Sequence, residues 1–549
     1  MPDKRTARSS ATSDARSDGA LDVVVIGAGH NGLVCAGYLA KAGLDVTVLE
    51  RRDVVGGACV TEELFPGYRC STASLVTSLF RPEIVADLGL ASHGLEFIRR
   101  NPSVVALFPD GRHLMLGSDQ GACTREIAKF SRADAAAYPR YGRTMRRLAS
   151  FIEPYLMNPL PALDGRAGVA IKAVLRRALE LQDDDLVYLV ELLTGSVACF
   201  LDRWFESDAI KVPLAIDGIT GVDASPFMPG SAYLMLYHMT GGTEVGRPAW
   251  GQVRGGMGGI TSALAAAARR HGATIRTTSP VSRILVRDGR AEGVALESGE
   301  EVRARAVASA ADPHTTFLKL IEPGDLPQDF RHAVENRRFD GVAMKLHLAL
   351  DRLPMVKGFA GTGVGPQHHG TLLIAPSMQY LEEAYADARE GRPSRSPHIE
   401  CTLPSVLDPS VAPEGKHLMG VYVQYTPYSL KDASWDEAKE PYADRVLECI
   451  EQYVPGITGS VVERAVLSPV DLERRLGLTG GDLYHGAMTL HQLFFMRSGQ
   501  ALPSHRTPIR GLYLSGSGAH PGGGVSGVPG RNGAMVVLAD IAATGGQEL

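Results

Sequence analysis

Cysteines are few in this chain, and none of them has a spacing that suggests redox or zinc chemistry. The 549 residues include seven, at positions 35, 59, 70, 123, 199, 401 and 449, with no CxxC or CxxxxC pair. This pattern argues against thiol–disulfide exchange and against structural zinc, and it provides no metal site. An odd number of isolated thiols is typical of a reducing compartment, so we expect all seven side chains to be buried and inert.

Surplus charge and long apolar runs are also missing. The net charge of −5 and the isoelectric point of about 6.4 leave no basic excess for nucleic acid. No apolar run reaches the roughly 18 residues that a membrane-spanning helix needs, so we expect a soluble or at most peripheral protein. Residues 1–20 are polar and lack the apolar core of a secretory signal. Their Arg and Ser content is compatible with a mitochondrial transit peptide, but Asp3, Asp14 and Asp18 argue against one, and we expect a disordered tail.

The segment VVVIGAGHNG predicts a buried parallel strand, a tight turn and the start of a helix. Gly27, Gly29 and Gly32 have the G-x-G-x-x-G spacing. The first glycine permits the turn, the second lets the backbone approach a pyrophosphate, and the third lets the helix pack on the strand. Glu50 ends the next predicted strand, where an acid accepts hydrogen bonds from the adenosine ribose. Together these features predict a dinucleotide site at the helix N-terminus.

A second glycine pair, Gly56 and Gly57, follows Glu50 and suggests further backbone lying close to an extended ligand. With Glu50 and Arg52 it forms an E-x-R-x-x-x-G-G pattern. This pattern resembles the extension of the dinucleotide fold in FAD-dependent amine oxidases and phytoene desaturases. The resemblance implies FAD rather than NAD.

Another glycine-rich loop, GAHPGGGVSGVPGRNG at residues 518–533, leads into a helix near Pro529. It follows a short apolar strand at residues 512–514. Its spacing departs from G-x-G-x-x-G at Pro521, and no strand-ending acid follows, so it is not a second nucleotide site. We predict instead that both loops hold one FAD, with the last loop and its helix under the flavin ring.

The order of these segments predicts an α/β fold with a discontinuous Rossmann-type FAD-binding domain. Its pieces are residues 21–74, 253–330 and 505–549, because the middle piece supplies the helix, strand and meander that complete a dinucleotide sheet. Residues 75–252 and 331–504 are predicted to be two insertions that form one α+β substrate domain. The chain is too long for a single core, so several domain-sized units are expected.

Long stretches of the chain resemble a known family from residue 22 onward. They include ERRDVVGGACVTEELFPGY, LDRWFESD, WGQVRGGMGG and LYLSGSGAHPGGGVSGVPGRN. The chain is similar to the pyridine nucleotide-disulfide oxidoreductase domain-containing protein 2 family, which is related to phytoene desaturases. The resemblance implies an amine oxidase/phytoene desaturase-like fold, FAD binding and oxidoreductase activity, but no substrate. It implies mitochondria for animal members; we expect a cytoplasmic protein, or one of the mitochondrial matrix if the source is eukaryotic.

The predicted site residues are almost all cofactor contacts. No catalytic side chain is identified: His520 could approach the flavin ring, but a histidine that satisfies loop backbone fits equally well. His485 and His491 alternate with apolar residues, which favours core or surface positions. The residues predicted to bind the cofactor are Gly27, Ala28, Gly29, Asn31, Gly32, Glu50, Arg51, Arg52, Gly56, Gly57, Ala58, Val281, Gly518, Gly524 and Val525. Val281 is included because related flavoproteins contact adenine with backbone there.

Two classes of function remain open. The first is an enzyme that moves hydride between flavin N5 and a C–C bond of a fairly apolar substrate, with C–N oxidation as the alternative reaction. The second is a flavoprotein that mainly binds and regulates a partner. The large insertions favour an enzyme with an enclosed pocket, and the lack of a second nucleotide cradle favours oxygen, a quinone or a protein as electron acceptor. Residues 138–160 combine basic and apolar side chains and could contact a membrane, although an ordinary amphipathic helix is favoured; a homo-oligomer is compatible with the sequence.

Overall fold

The computed structural model describes residues 20–160, 167–241, 250–497 and 505–544. The predicted tail at residues 1–20 therefore lies outside the described residues, apart from its last residue. The described strands, in chain order, are β1 (Leu21–Ile26), β2 (Val46–Leu49), β3 (Thr61–Phe65), β4 (Tyr68–Ser71), β5 (Phe97–Arg99), β6 (Val104–Leu107), β7 (His113–Leu116), β8 (Gly251–Val253), β9 (Thr274–Arg276), β10 (Val281–Arg287), β11 (Arg290–Leu296), β12 (Glu301–Ser309), β13 (Ala343–Leu350), β14 (Thr371–Ile374), β15 (His398–Thr402), β16 (His417–Gln424), β17 (Val461–Leu467) and β18 (Leu512–Leu514).

Along the chain, most helices lie in the segments that connect the strands of two large sheets. Those described, in chain order, are α1 (His30–Lys41), α2 (Pro82–Asp87), α3 (Gln120–Ile127), α4 (Arg132–Leu156), α5 (Ala167–Ala178), α6 (Asp183–Thr194), α7 (Val197–Asp202), α8 (Asp208–Ile219), α9 (Ala232–Met239), α10 (Gly258–Arg270), α11 (Gln328–Glu335), α12 (Met378–Arg389), α13 (Pro404–Leu407), α14 (Trp435–Glu451), α15 (Pro469–Leu476) and α16 (Val528–Ala543).

The first sheet joins the beginning, the middle and the end of the chain. Strand β1 pairs in parallel with β2 on one side and with β12 on the other, and β18 pairs in parallel with β12. The antiparallel strands β10 and β11 extend the sheet beyond β12, and β9 lies at the edge beside β2. Helices α1, α10 and α16 pack on one face, and Phe317, Leu320 and Phe330 pack on the other. Strand β1 is therefore covered on both faces, which explains why it is apolar on both sides. This is the predicted Rossmann-type sheet.

The second sheet is mostly antiparallel and runs in the order β17-β13-β16-β15-β14-β6-β7. Helix α14 packs on one face through Trp435, Val446 and Ile450. Helices α4, α7, α8 and α9 pack together over the other face, near Ala106 and Leu373. Strands from both predicted insertions therefore share one sheet, because β6 pairs with β14 in parallel.

The predicted α/β fold is confirmed. Within the first predicted insertion, β6 pairs with β7 and β5 pairs with β8. One detail differs from expectation. Cys199 is exposed on α7, whereas the other six cysteines are buried, so the expectation of seven buried thiols was wrong at one position. The predicted domain boundaries stay a prediction.

Membrane-spanning helices and metal clusters are both missing from the described residues. None of the helices in the ranges given above combines the length and the apolar character that crossing a membrane would require. Within the same residues, no group of three or more His, Cys, Asp or Glu side chains is placed to hold a metal ion.

Candidate cofactor and substrate cavity

One continuous cavity of about 700 Å³ extends from the first glycine-rich turn to the second sheet. At one end it is lined by the loop between β1 and α1, and at the other by side chains of β13, β15 and β16. Apolar residues line much of the length between these ends, among them Leu75, Val76, Leu79, Ile216 and Leu373. Its size is within the range of roughly 300–1,000 Å³ found for small-molecule and cofactor sites.

The glycines of the first turn differ in what surrounds them. Gly27 has φ of +91°, in the region that favours glycine. A Cβ at Gly32 would lie 2.0 Å from the carbonyl oxygen of Gly27, so this glycine lets α1 pack against the turn. A Cβ at Gly29 would meet no atom within 4 Å, and Gly29 lines the cavity. The space beside Gly29 is thus open to a ligand, as a pyrophosphate contact requires.

Glu50 follows β2 and is held by two backbone groups. Its Oε2 accepts a hydrogen bond of 2.8 Å from the amide of Ala28, and its Oε1 accepts one of 2.9 Å from the amide of Arg52. Each carboxylate oxygen has further acceptor capacity, and Glu50 lines the cavity. The carboxylate can therefore accept ribose hydroxyls while it fixes the turn.

The next segment brings more of the predicted contacts to the cavity. Gly57 and Ala58 line it, whereas Gly56 lies behind them in a parallel bridge to Gly29. Arg51 and Arg52 also line it. Arg52 forms an ion pair with Glu62, and its Nη1 is buried with no hydrogen-bond partner among the described residues. That free donor suits an anionic ligand group.

The last glycine-rich loop contributes to the same cavity. Gly524, Val525 and Ser517 line it, and α16 begins immediately afterwards. Gly518 is absent from the described lining residues, because it faces Pro313: a Cβ there would lie 2.3 Å from Pro313 Cδ. The predicted contact of Gly518 with the cofactor stays a prediction.

The remaining predicted contacts are placed as follows. Val281, the first residue of β10, lines the cavity beside the dinucleotide end, and Asn31 lines it from the first turn of α1. Ala28 is fully buried, so its contribution is the amide that binds Glu50. The buried Nε2 of His30, next to Asn31, has no hydrogen-bond partner among the described residues.

The three histidines that the sequence analysis considered have different surroundings in the structure. His520 is fully buried, and its Nε2 lies 2.8 Å from the carbonyl oxygen of Tyr155, so it satisfies backbone and is not among the described lining residues. Burial lowers its pKa to about 3. His485 instead lines the cavity, and burial lowers its pKa as well. His491 is exposed.

At the substrate end, the second sheet carries a row of polar side chains that the sequence did not reveal as a site. Lys345 on β13 and Glu400 on β15 both pair in register with Tyr422 on β16, so the three share one face. The Nζ of Lys345 lies 4.3 Å from the centroid of the Tyr422 ring. His398 Nε2 lies 3.2 Å from Glu400 Oε1.

Helix α8 faces this row from the opposite wall. Pro213, Ile216, Asp217 and Thr220 line the cavity from one side of the helix, at the three- and four-residue spacing of a helix face. The carbonyl oxygen of Asp217 lies 2.7 Å from Nδ1 of His238. The Asp217 carboxyl itself makes no hydrogen bond within the described part of the chain.

The environment shifts the pKa of Lys345, Asp217 and Glu400. Burial lowers the pKa of Lys345 to about 7, and the charge of Glu400 opposes that shift. Burial raises the pKa of Asp217 to about 7, and repulsion from Glu400 adds to it. For Glu400, burial acts to raise the pKa, but contact with His398 and the charges of Lys345 and Arg100 hold it below its usual value. Perturbed groups in a cavity are typical of functional sites.

A weak sequence signal marked these residues. Lys345 interrupts the apolar run VAMKLHLAL, and Glu400 interrupts the strand HIECT. A charged residue within a buried strand needs a partner or a function. The chain position alone, however, does not reveal that Asp217 lies opposite them.

The segment at residues 138–160 lies mainly in α4, which buries its apolar side. Tyr141, Met145 and Leu148 are buried in the hydrophobic core that α4 shares with α7, α8 and α9. Arg147, on the other side of the helix, forms an ion pair with Asp185 on α6. Membrane contact by this segment stays a hypothesis.

Comparison with known proteins agrees with this geometry. Residues 32–530 match the family model described as flavin containing amine oxidoreductase. The pyridine nucleotide-disulfide oxidoreductase domain-containing protein 2 of Rattus norvegicus is 43% identical over 544 residues, which cover 95% of this chain and 94% of that protein. A limonene dehydrogenase polypeptide of Castellaniella defragrans is 28% identical, and the match covers 95% of both chains.

A solved structure shows the same fold at low identity. Cyclohexylamine oxidase from Brevibacterium oxydans matches with a TM-score of 0.57 at 17% identity, and the match covers 95% of this chain and 100% of that one. The family match implies a flavin cofactor, and the open space at Gly29, the held Glu50 carboxylate and the free Arg52 donor fit one. The chain belongs to the flavin-containing amine oxidoreductase family, and to the group of pyridine nucleotide-disulfide oxidoreductase domain-containing protein 2 within it.

Proposed function

We propose that the protein is an FAD-dependent oxidoreductase that moves hydride between the flavin and a C–C bond of a mostly apolar substrate. One observation carries the proposal: the dinucleotide cradle and the pocket on the second sheet are two ends of one cavity. A substrate in that pocket is thereby directed toward the cofactor. FAD, when bound, supplies N5 as the hydride acceptor or donor.

The residues of this chain have separate tasks in the proposed reaction. The turn at Gly29, the Glu50 carboxylate and the Arg52 guanidinium would hold the nucleotide part. Leu79, Ile216 and the other apolar lining residues would exclude water and orient the substrate carbon. Hydride transfer itself depends mainly on orientation. The proton that leaves the neighbouring carbon would pass to water or to a titratable lining residue such as His485 or Glu400.

The proposed bond type is supported by a relative and leaves an alternative. The limonene dehydrogenase polypeptide, at 28% identity, carries the name of a dehydrogenase of a hydrocarbon. C–N oxidation is the second candidate, because the matched family model is described as flavin containing amine oxidoreductase. For the electron acceptor we propose oxygen, a quinone or a protein, since the sequence has no second nucleotide cradle.

The cofactor is tested first. Heat denaturation of the purified protein should release yellow FAD into the supernatant, because the proposed contacts are non-covalent. Flavin that stays with the precipitated protein contradicts non-covalent binding. A colourless protein that cannot be reconstituted with FAD contradicts the proposal as a whole.

The reaction is tested by anaerobic mixing of the oxidised flavoprotein with polyene, carotenoid, fatty-acyl and amine candidates while flavin absorbance is followed. Bleaching by a compound that offers only C–C bonds supports the proposal, and bleaching by amines alone supports C–N oxidation. Rapid bleaching by NADH contradicts the proposed acceptors. If no candidate reduces the flavin and none reoxidises the dithionite-reduced form, a regulatory flavoprotein becomes the better interpretation.

A further inference from the structure

The substrate end of the cavity contains polar groups whose hydrogen-bonding capacity the protein leaves unused. Lys345 is 4% exposed, and its Nζ lies over the Tyr422 ring without a hydrogen bond to any described residue. The Asp217 carboxyl faces the same space and has no hydrogen bond within the described ranges. The buried Oε1 of Glu400 lies near His398 but likewise has no partner there with the geometry of a hydrogen bond.

Two neighbouring tyrosine hydroxyls have, in contrast, hydrogen-bond partners within the protein. The Tyr422 hydroxyl donates to Gln424 and accepts from the amide of Gly221, and the Tyr484 hydroxyl donates to the carbonyl oxygen of Thr220 at 2.9 Å. Unused capacity at the cavity wall therefore lies at Lys345, Asp217 and Glu400. Behind Glu400, Nη1 of Arg100 and both ring nitrogens of His398 are also buried without a hydrogen bond among the described residues. A purely hydrocarbon ligand would cover these groups and leave them unpaired, which is unfavourable.

We propose that the substrate is amphipathic, with an apolar body and a neutral hydroxyl-type end group. This end group binds to Asp217 and Lys345 at the end of the cavity formed by the second sheet. This inference rests on the proposed function and specifies its substrate class. The apolar body would lie along Ile216 and Leu373, which line the cavity next to these groups.

A neutral end group is favoured because the charges around it already balance. Lys345, Arg100 and His398 act on Glu400, and Glu400 acts on Asp217. With His398 neutral, the two bases Lys345 and Arg100 balance the two acids. An ammonium or carboxylate ligand would add an uncompensated charge to this buried environment. A hydroxyl adds none.

A hydroxyl also matches either distribution of the proton between the acid and the base. When Asp217 and Lys345 are both ionised, the carboxylate accepts and the ammonium donates. When both are neutral, the carboxylic acid donates and the amine accepts. A hydroxyl has one donor and two acceptor sites, so it can satisfy these groups in both cases, whereas an aldehyde or a hydrocarbon cannot.

The test compares ligands that differ only at the end group. The purified holoprotein is titrated with a cyclic monoterpene hydrocarbon and with the primary alcohol, amine and carboxylic acid of the same skeleton, and with the corresponding linear C12 series. Binding is followed by the change in flavin absorbance and independently by the shift of the thermal unfolding midpoint. We expect at least one alcohol to bind about ten-fold more tightly than its hydrocarbon, amine and acid, equivalent to about 1.4 kcal/mol.

Variants separate hydrogen bonding from packing. Asp217→Leu should lose about ten-fold in alcohol affinity while hydrocarbon affinity is retained or increased, because leucine, of similar size, removes the polar contact and leaves no carboxyl for a hydrocarbon to cover. Asp217→Asn retains a donor and an acceptor and should keep alcohol affinity within about three-fold. Ile216→Val, the neighbouring lining residue, is the matched control and should affect alcohol and hydrocarbon equally.

Three results would overturn the inference. They are a hydrocarbon, amine or acid that binds as tightly as its alcohol, an Asp217→Leu variant that loses affinity for alcohol and hydrocarbon alike, and the absence of binding by every alcohol. None of them depends on turnover. The proposed function fails separately, when the protein carries no FAD or when bound ligands never exchange electrons with it.

Discussion

The side-chain amide of Asn31 donates a hydrogen bond of 3.0 Å to the hydroxyl of Ser517 and so joins the first glycine-rich loop to the last one. The backbone supports the same contact, because a Cβ at Gly530 would lie 2.1 Å from the carbonyl oxygen of Asn31. Helices α1 and α16 therefore touch at their N-terminal turns. Both loops border one cavity, which explains how the two ends of the chain can hold a single ligand.

We expect Gly29→Val to abolish FAD retention while the fold is preserved. A Cβ at Gly29 meets no protein atom within 4 Å, and φ of −68° is accessible to any residue. The valine would occupy only the space of the pyrophosphate, so affinity should fall more than about ten-fold, for a loss of about 1.4 kcal/mol or more. FAD content and the thermal midpoint of the apoprotein are measured together.

Gly32→Ala is the contrasting variant. Its Cβ would lie 2.0 Å from the Gly27 carbonyl oxygen, so it should lower the midpoint of the apoprotein itself. Normal FAD content in Gly29→Val would contradict the assignment of this turn to the pyrophosphate.

Glu50→Ala should weaken both the turn and the cofactor site. It removes the acceptor for the amides of Ala28 and Arg52, and each buried donor left unpaired costs about 1–3 kcal/mol. Glu50→Gln keeps one side-chain oxygen and should lie between wild type and Glu50→Ala. Unfolding by urea of the apoprotein and titration with FAD are the measurements. Glu301→Ala, at an exposed acid on β12, should change neither, and a Glu50→Ala protein that binds FAD normally would show that Glu50 is not a ribose contact.

Arg497→Met should destabilise the protein more than any exposed arginine substitution. Arg497 is fully buried and donates hydrogen bonds to the carbonyl oxygens of Ser517, Tyr484 and Gly486, thereby connecting the last loop to the wall of the cavity. Leaving these acceptors unpaired should lower the free energy of unfolding by more than about 3 kcal/mol. Arg352→Gln, at an exposed site, is the control in the same denaturation experiment. Equal midpoints for the two variants would refute a structural role for Arg497.

The pH dependence of stability should report the Asp217 carboxyl. Its pKa in the folded protein is raised to about 7 by burial and by the charge of Glu400. Between about pH 4 and pH 7 the folded protein holds at Asp217 a proton that the unfolded chain has released, so the contribution of this carboxyl to stability falls as pH rises through this window. Asp217→Asn lacks this proton.

The difference in unfolding free energy between Asp217→Asn and wild type should therefore grow in favour of the variant from about pH 5 to about pH 7, by up to about 1.4 kcal/mol per pH unit. It should stay constant below about pH 4 and above about pH 8. Asp432→Asn, at an exposed carboxyl, should show no such trend. A difference that is independent of pH would mean that Asp217 titrates normally.

The local part of the cofactor site was predictable from the sequence. Residues of the first turn are adjacent in the chain, and the spacing of Gly27, Gly29 and Gly32 constrains the backbone directly. The short strand at Leu512–Leu514 was predicted at its observed bounds because its apolar run is bordered by glycine and polar residues. The orientations of Gly518 and His520 were not predictable, since the direction in which a loop residue points depends on neighbours such as Pro313 and Tyr155.

The sequence by itself therefore determined the Rossmann-type turn, the acid after the second strand and the existence of a second glycine-rich loop, because each follows from contacts between near neighbours. Only the tertiary structure decided that Lys345, Glu400 and Asp217 line one cavity. The first two are brought together by register with Tyr422 across three strands, and the third by the packing of α8 over that sheet. Their shifted pKa values arise from shared burial and mutual charge, which exist only once distant segments of the chain enclose one cavity.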